Sequence, residues 1–400
     1  MPAAPAVPRH RSSGPSGASG RRVARNTARV LGGALSFTLL LGFGYGWYEY
    51  RSLRAGMQTF QLNALGTDPK GTGAHHVAGP KNEQNILLVG LDTRDGLSPA
   101  LQHKLKVGSD ASHATDTIMV LHVPAGGRRA SMISIPRDSY VDIPGGWAKN
   151  KINAAYGDAY NDAVQKGASE KQAERAGANL LIQTVSQFTG LRIDHYVQVG
   201  FGGFYTIAKA LHRIPVTLCT DADDSFTRNR LENQQGGSGF KMSAGHHELT
   251  PVQALEFVRQ RHFLHGGDLA REKRQRYFIT AAFDKIASAH VLLDPGRLGS
   301  LIKAIQGAFF LDTDLAQHLV TFAEQMSDLA ANQLSGFTIP THGSQYVSIV
   351  GQSQDVEIVD PHEVQAAIQK RLTSTPTKPS SAKASKPAAK PGTTAKGCVY

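Results

Sequence analysis

The chain has 400 residues, with 43 lysines and arginines against 32 aspartates and glutamates, and two cysteines. That length exceeds one typical domain, but the ends are not domain-like: residues 1–29 hold six arginines, residues 373–400 hold five lysines, and neither stretch holds an acid. The net charge of +11 is therefore carried outside the body, which excludes reading it as a nucleic-acid-binding charge on the folded part, and the low apolar content of both ends predicts disorder.

After the basic arm 1–29, the segment 30–48 reads VLGGALSFTLLLGFGYGWY. It is uncharged, about as long as a bilayer core requires, and closes on the aromatic residues Tyr45, Trp47 and Tyr48. Arg21, Arg22, Arg25 and Arg29 precede it. The positive-inside bias predicts a single-pass membrane protein with a cytoplasmic N-terminus and an extracytoplasmic body, the segment being retained as a signal anchor. Cys219 and Cys398 then lie where thiols oxidise, and they either bridge or remain unrelated thiols.

Residues 49–84 read as a linker rich in Gly, His and Asn. Order is expected from NILLVGLD (85–92), a strand, followed by strands at 116–124 and 129–138 with the glycines at 126–127 turning between them. Residues 169–189 predict a helix with Leu181, Val185 and Phe188 on one face. A strand at 195–200, a helix over FGGFYTIAKAL and a strand IPVTLC follow, then a polar loop over 220–247. Thr250, Pro251 and Gln253 make a strong helix start, combining a cap, proline at the first position and capping-box spacing. Asp268 opens the next helix, to about residue 290. Helices at 297–310 and 313–330, strands GFTIP and YVSIVG, and the segment 361–372 complete a layered α/β body. The tail 373–400 is low in complexity.

The chemistry concentrates in FVRQRHFLHGGDLAREKRQRYF, residues 257–278, with five arginines and a lysine. On the helix from Asp268, Arg271, Gln275 and Phe278 share one face, which continues into the buried side at Ala282. A buried arginine needs a partner. Arg274 and Arg276 are expected on the surface. Arg259 and Arg261, two apart, converge only if the chain is extended there, so the preceding helix should end near Val258. Three guanidiniums focused on one region call for a multiply charged anion, and their planar forks suit phosphate. Further candidates stand at strand ends: Asp92 and Arg94, Asp116, Arg137 and Asp138, then Lys151 and Asn153. Ligands of α/β proteins bind beyond strand ends, and two carboxylates beside a basic cluster suit Mg²⁺ bridging a phosphate.

NILLVGLDTR, TDTIMV, SIPRDSYV, KINAAY, IDHYVQVGFGGF and GHHELTPVQALEFVRQR followed by DLAREKRQR occur in this order. Together they resemble the LytR–CpsA–Psr family. The resemblance implies a three-layer α/β/α extracytoplasmic domain with a central mixed sheet over 85–372, preceded by one transmembrane helix, and a deep apolar pocket for a polyprenyl tail. It implies a phosphotransferase that moves a glycopolymer from a polyprenyl-pyrophosphate carrier to peptidoglycan. Asp92 and Asp116 would act on Mg²⁺, with Arg137 and Arg271 also catalytic. Arg94, Arg137, Arg259, Arg261, Arg271 and Gln275 would hold the pyrophosphate, with Lys151 and Asn153 as further contacts and Asp138 positioning Arg137. The partners implied are the lipid-linked glycan, peptidoglycan and the membrane, with no nucleic acid. Where the family usually has Gly-Gly, His212-Arg213 implies a less tight turn. The same site with water as acceptor would make a hydrolase. A non-catalytic lipid-pyrophosphate binder or a membrane regulator are the other readings, but a 29-residue arm has no room for a folded DNA reader.

Overall fold

The computed structural model describes residues 58–67, 83–94, 97–105, 113–125, 130–225, 237–264, 267–288, 306, 309–318, 334–373 and 397–400, and all of these fall in one compact unit, Gly56–Tyr400. The expected membrane span 30–48 and the turn at 126–127 lie outside the described residues. Among the described residues no helix is long and apolar enough to cross a membrane.

A mixed sheet of seven strands forms the centre. Its strands are β1 (Gln58–Phe60), β2 (Gln84–Leu91), β3 (Thr115–Val123), β4 (Ala130–Ser134), β7 (His195–Val199), β12 (Phe309–Asp312) and β13 (Leu334–Thr338), in the spatial order β1-β12-β7-β2-β3-β4-β13. Strands β2, β7, β4 and β13 run one way, because β2 is parallel to β7 and β4 to β13, while β3 runs antiparallel between β2 and β4. The end of β2 and the start of β3 therefore meet at the same edge as the ends of β4, β7 and β13.

Strict alternation places the two faces. Leu87, Val89, Leu91, Ile118, Val120 and Ile133 pack into one core cluster, and Ile86, Met119, Leu121, Val123 and Met132 into another on the opposite side. The period of two in the apolar residues requires this in a sheet covered on both faces. The first face is covered by helices α2 (Ala154–Gln165), α3 (Glu170–Thr189) and α8 (Pro361–Thr373). Gly177 lets α3 approach α2 closely, since a methyl there would lie 2.7 Å from the Tyr156 carbonyl oxygen. The second face takes Ile279 and Phe283 from α6 (Gly267–Ser288). A further cluster joins α4 (Phe201–Ala210), α5 (Pro251–Arg259), α6 and the antiparallel pair of β8 (Ile214–Leu218) with β11 (Gly245–Leu249). The expected α/β fold with a central mixed sheet is what the chain adopts.

Several elements differ from the sequence reading. Within the expected linker, β1 pairs with β12, and Phe60 is wholly buried. The polar stretch 220–247 is not a plain loop: β9 (Ala222–Asp223) pairs with β10 (Lys241–Met242), and β11 begins at Gly245. Its strands are short or half-exposed, so they lack the apolar alternation that announces a strand. Phe309 and Phe310 lie in a strand rather than a helix, and only the first residues of the helix expected at 313–330 are described, as α7 (Thr313–Gln317). The hairpin partner of β14 (Ser344–Ile349), β15 (Gln352–Glu357), is largely polar and so carries no strand signal in its sequence. His212 itself adopts φ 62°, a left-handed backbone that histidine enters more readily than most side chains.

The end of the chain belongs to the fold. Cys398 is disulfide-bonded to Cys219, and Val399 bridges to Leu218 beside it. The bond closes a sequence separation of 179 residues. Cross-linking so distant a pair restricts the unfolded chain, so Cys398→Ser should lower the unfolding free energy by about 2–4 kcal/mol. Chemical denaturation with and without reductant measures this, and reductant should leave the variant unchanged.

Candidate active site

The candidate residues gather along the common edge of β2, β3, β4 and β7. Asp92 follows β2 directly, and Asp116 is the residue left unpaired where the register of β3 shifts between Gly90 and Leu91; the two carboxyls are close enough to feel each other's charge. Burial is the chief cause that lifts the Asp92 carboxyl above its usual range, and Asp116 adds to it against the pull of Arg94, Arg259 and Arg261. Burial also acts on Asp116, but Arg137, Arg271 and Arg261 outweigh it and hold that carboxyl below the usual range.

Arg137 follows β4 and is gripped from three sides. Its Nη1 donates to Asp116 Oδ1 at 2.5 Å and its Nε to Asp268 Oδ2 at 3.0 Å, with Asp138 Oδ2 at 3.4 Å. Asp138 also holds Lys151, Nζ to Oδ1, at 3.0 Å. The main-chain N–H of Asn153 donates to the Arg137 carbonyl, and the Asn153 carbonyl accepts from Thr115, so Asn153 ties the Arg137 loop to β3. Asn153 stands in the N-cap position of α2 without a side-chain cap bond.

The second set comes from α5, α6 and the turn between them. Thr250 and Gln253 form the expected capping box with Pro251 at the first turn. The helix ends at Arg259, one residue beyond the expected Val258, and Gln260 is extended at φ −56°, ψ 129°. That extension is what lets Arg259 and Arg261 address one region. Arg261 Nη2 reaches Asp116 Oδ2 at 3.5 Å. Arg259 donates to the Leu105 carbonyl and lies with Arg94 over the Phe201 ring, their guanidinium carbons 5.2 and 6.0 Å from its centroid. Arg94 also reaches back to Asp92, at 3.3 Å from Oδ1.

Arg271 is 2% exposed and donates from Nη2 to Asp268 Oδ2 at 2.8 Å. Burial, helped by Arg137 and Arg261 against Asp268 and Asp116, pushes its guanidinium down to about 10, so it stays charged at neutral pH. Its Nε and the neighbouring Gln275 Oε1 are buried with no hydrogen-bond partner among the described residues. Gln275 Nε2 donates to the Val258 carbonyl.

The structure thus brings together Asp92, Arg94, Asp116, Arg137, Asp138, Lys151, Asn153, Arg259, Arg261, Arg271 and Gln275. Six cationic side chains stand against four carboxylates, Asp268 being the fourth. The excess positive charge, in a partly buried site with unsatisfied polar atoms, is suited to an anion. The donor set of two carboxylates on adjacent strands fits a hard cation that takes its other oxygens from substrate and water. Among the described residues no cluster of three or more acidic, His or Cys side chains forms a self-sufficient metal site.

Two arginines of α6 are less exposed than expected. Arg274 is not a surface residue: it is 1% exposed, lies over the Phe240 and Phe257 rings, donates from Nη1 to Gln260 Oε1 and from Nε to the Tyr400 main-chain oxygen at 2.6 Å. Arg276 is half-buried, with Nη1 donating to Ser134 Oγ at 2.9 Å and Thr338 Oγ1 at 3.1 Å at the ends of β4 and β13. Helix α6 is enclosed by neighbours on several sides, which a single apolar stripe does not reveal. Asp268 was legible as a helix start, but its service to both Arg137 and Arg271 was not.

Arginines and two acids over one edge of a mixed α/β sheet make a site suited to an anionic ligand. The sequence profile described as the LytR_cpsA_psr family matches residues 58–370. The chain belongs to that family. It is 33% identical over 303 residues to the cell wall biosynthesis protein LcpA of Corynebacterium glutamicum, covering 72% of this chain and 55% of the relative. It is 30% identical over 320 residues to the polyisoprenyl-teichoic acid–peptidoglycan teichoic acid transferase TagU of Oceanobacillus iheyensis, covering 79% of this chain and 87% of the relative. The chain spans about half the length of the two corynebacterial relatives it matches, LcpA at 55% and the probable LcpB at 51%. The crystal structure of Bacillus subtilis TagV is similar in fold, with a TM-score of 0.51, 21% identity and coverage of 74% of this chain and 99% of that one.

Asp268 is the counter-ion shared by two site arginines, one of them buried. Asp268→Asn should therefore lower the unfolding free energy by about 1–3 kcal/mol, less than for a fully buried pair because Asp268 is partly exposed. Urea denaturation of the two proteins side by side checks it.

Proposed function

We propose that the chain is a phosphotransferase that moves a glycopolymer from a polyprenyl-pyrophosphate carrier onto peptidoglycan. One observation carries the reading: guanidiniums from three separate parts of the chain meet a pair of carboxylates at one sheet edge, leaving an excess of positive charge. The name of the Oceanobacillus relative, which acts between a polyisoprenyl-linked teichoic acid and peptidoglycan, supports the same substrate class.

Arg94, Arg137, Arg259, Arg261 and Arg271 bind the pyrophosphate oxygens through their forks, with Lys151 and Asn153 beside Arg137 and Gln275 beside Arg271. Asp138 and Asp268 hold Arg137 and Arg271 in place before the ligand arrives. Asp92 and Asp116 would hold Mg²⁺, which when bound neutralises phosphoryl charge. A sugar hydroxyl of peptidoglycan attacks the phosphorus bearing the glycan and passes its proton to an aspartate of the site, polyprenyl phosphate leaves, and a phosphodiester joins glycan to wall. The chain's contribution is positioning and electrostatic stabilisation rather than a covalent intermediate. An apolar pocket for the lipid tail would add about 0.8 kcal/mol per buried CH₂. The span 30–48 anchors the protein, with residues 1–29 cytoplasmic and the catalytic body outside.

Full-length protein in detergent, supplied with Mg²⁺, a polyprenyl-pyrophosphate oligosaccharide and a peptidoglycan oligomer, should yield a phosphodiester-linked product by mass spectrometry. Release of free glycan phosphate instead would make the protein a hydrolase, and recovery of intact donor with both substrates bound would make it a binder. Arg271→Ala should reduce kcat by about 10²–10³ while shifting the unfolding midpoint far less. Equal losses of turnover and folded protein would return Arg271 to a structural role.

A further inference from the structure

Glu272 is the one acid of α6 beside the site that no step above uses. It is 3% exposed, and neither carboxylate oxygen has a hydrogen-bond partner among the described residues. An ionised carboxylate cannot persist in that condition, because burial without hydrogen bonds removes its solvation and returns nothing. It sits on the helix face that turns to the sheet, one residue after Arg271 and one turn before Arg276, whose guanidinium spans the ends of β4 and β13.

The charged groups bearing on Glu272 are Asp268, Arg271 and Arg276 from its own helix and Asp138 from the β4–β5 connection, β5 being Tyr140–Val141. Arg137 and Lys151 are already engaged with Asp138, and Glu357 of β15 lies against Asp138 through its main-chain N–H. Two arginines favour the ionised form and two aspartates oppose it. Burial decides the balance, lifting the carboxyl to about 8, with Asp268 adding to it.

We propose that Glu272 is a proton-holding positioning residue of the anion site. With its proton on, it leaves Arg271 directed at the pyrophosphate and Arg276 on the ends of β4 and β13. With its proton lost, it draws both guanidiniums to itself and loosens the ligand. The inference rests on the pyrophosphate reading above and deepens it. It follows by linkage that a bound anion strengthens the hold of Glu272 on its proton, so binding in the alkaline range takes up as much as about one proton.

Glu272→Gln copies the neutral form in size and shape, so the variant should fold. The probe is a soluble short-chain polyprenyl-pyrophosphoryl disaccharide, a diester with no ionisation of its own between pH 6 and 10. Titration calorimetry of full-length protein should give equal affinities for the two proteins at pH 6.5. At pH 9 wild type should bind roughly tenfold more weakly than at pH 6.5, while the variant changes little. Only wild type should show heats that depend on the ionisation enthalpy of the buffer.

Stability supplies a second readout. In the fold this carboxyl binds its proton more tightly than in the unfolded chain, so wild type loses stability as pH rises from about 4.5 to about 8. The advantage of Glu272→Gln in unfolding midpoint should therefore grow across that window and then level off. Parallel pH profiles of affinity for the two proteins would overturn the role of Glu272 while leaving the pyrophosphate site intact. Absence of probe binding in both proteins at every pH would overturn the pyrophosphate reading and this inference with it.

Discussion

The arrangement depends on one guanidinium, that of Arg137, held among Asp116, Asp138 and Asp268. These carboxylates come from the start of β3, the connection after β4 and the first turn of α6. Arg137 therefore joins the sheet edge to the helix that carries the remaining cations. The three acids together raise its affinity for its proton well above the ordinary range, despite burial acting the other way. Without such internal counter-ions, arginines this close would repel one another and splay into solvent. With them, the site is assembled in advance and a ligand meets donors already in position.

Helix α6 does two jobs on two faces. Arg271 and Gln275 turn toward the site, and Phe278 continues the same row into the core shared with α4 and α5. One step around the helix, Arg276, Ile279 and Phe283 lie against the sheet, Arg276 at its edge and the apolar pair beneath it. Gly336 on β13 allows this approach, since a methyl group there would collide with the Arg276 side chain. At the end of β7 Gly200 does the same service, letting the start of α4 lie against Thr93 and placing Phe201 under Arg94 and Arg259.

What could be read from sequence was what local rules determine. The alternation in β2 and β3, the capping box at Thr250 and the shared face of Arg271 and Gln275 are each set by residues within a few positions of one another. The candidate site was legible because its acids and cations stand at predictable strand ends and beside a helix start. What could not be read depended on remote partners. Arg274 looked like a surface residue because its acceptors, Gln260 and the Tyr400 main chain, and its two rings come from elsewhere in the chain. Within 220–247, β9 and β10 take their order from each other and β11 from β8, as β1 does from β12, and their own residues carry little apolar signal. The burial of Glu272 was hidden for the same reason: only packing against the sheet encloses it.

The anchoring of Gly397–Tyr400 has a practical consequence for handling the protein. Because Cys398 is bonded to Cys219, the polypeptide between Thr373 and Gly397 is fastened at both ends. A protease that nicks it once would release no fragment, and the cleaved molecule would run as a single species on a non-reducing gel. Two bands would emerge only after thiol treatment, so digestion followed without reductant would miss the cut altogether.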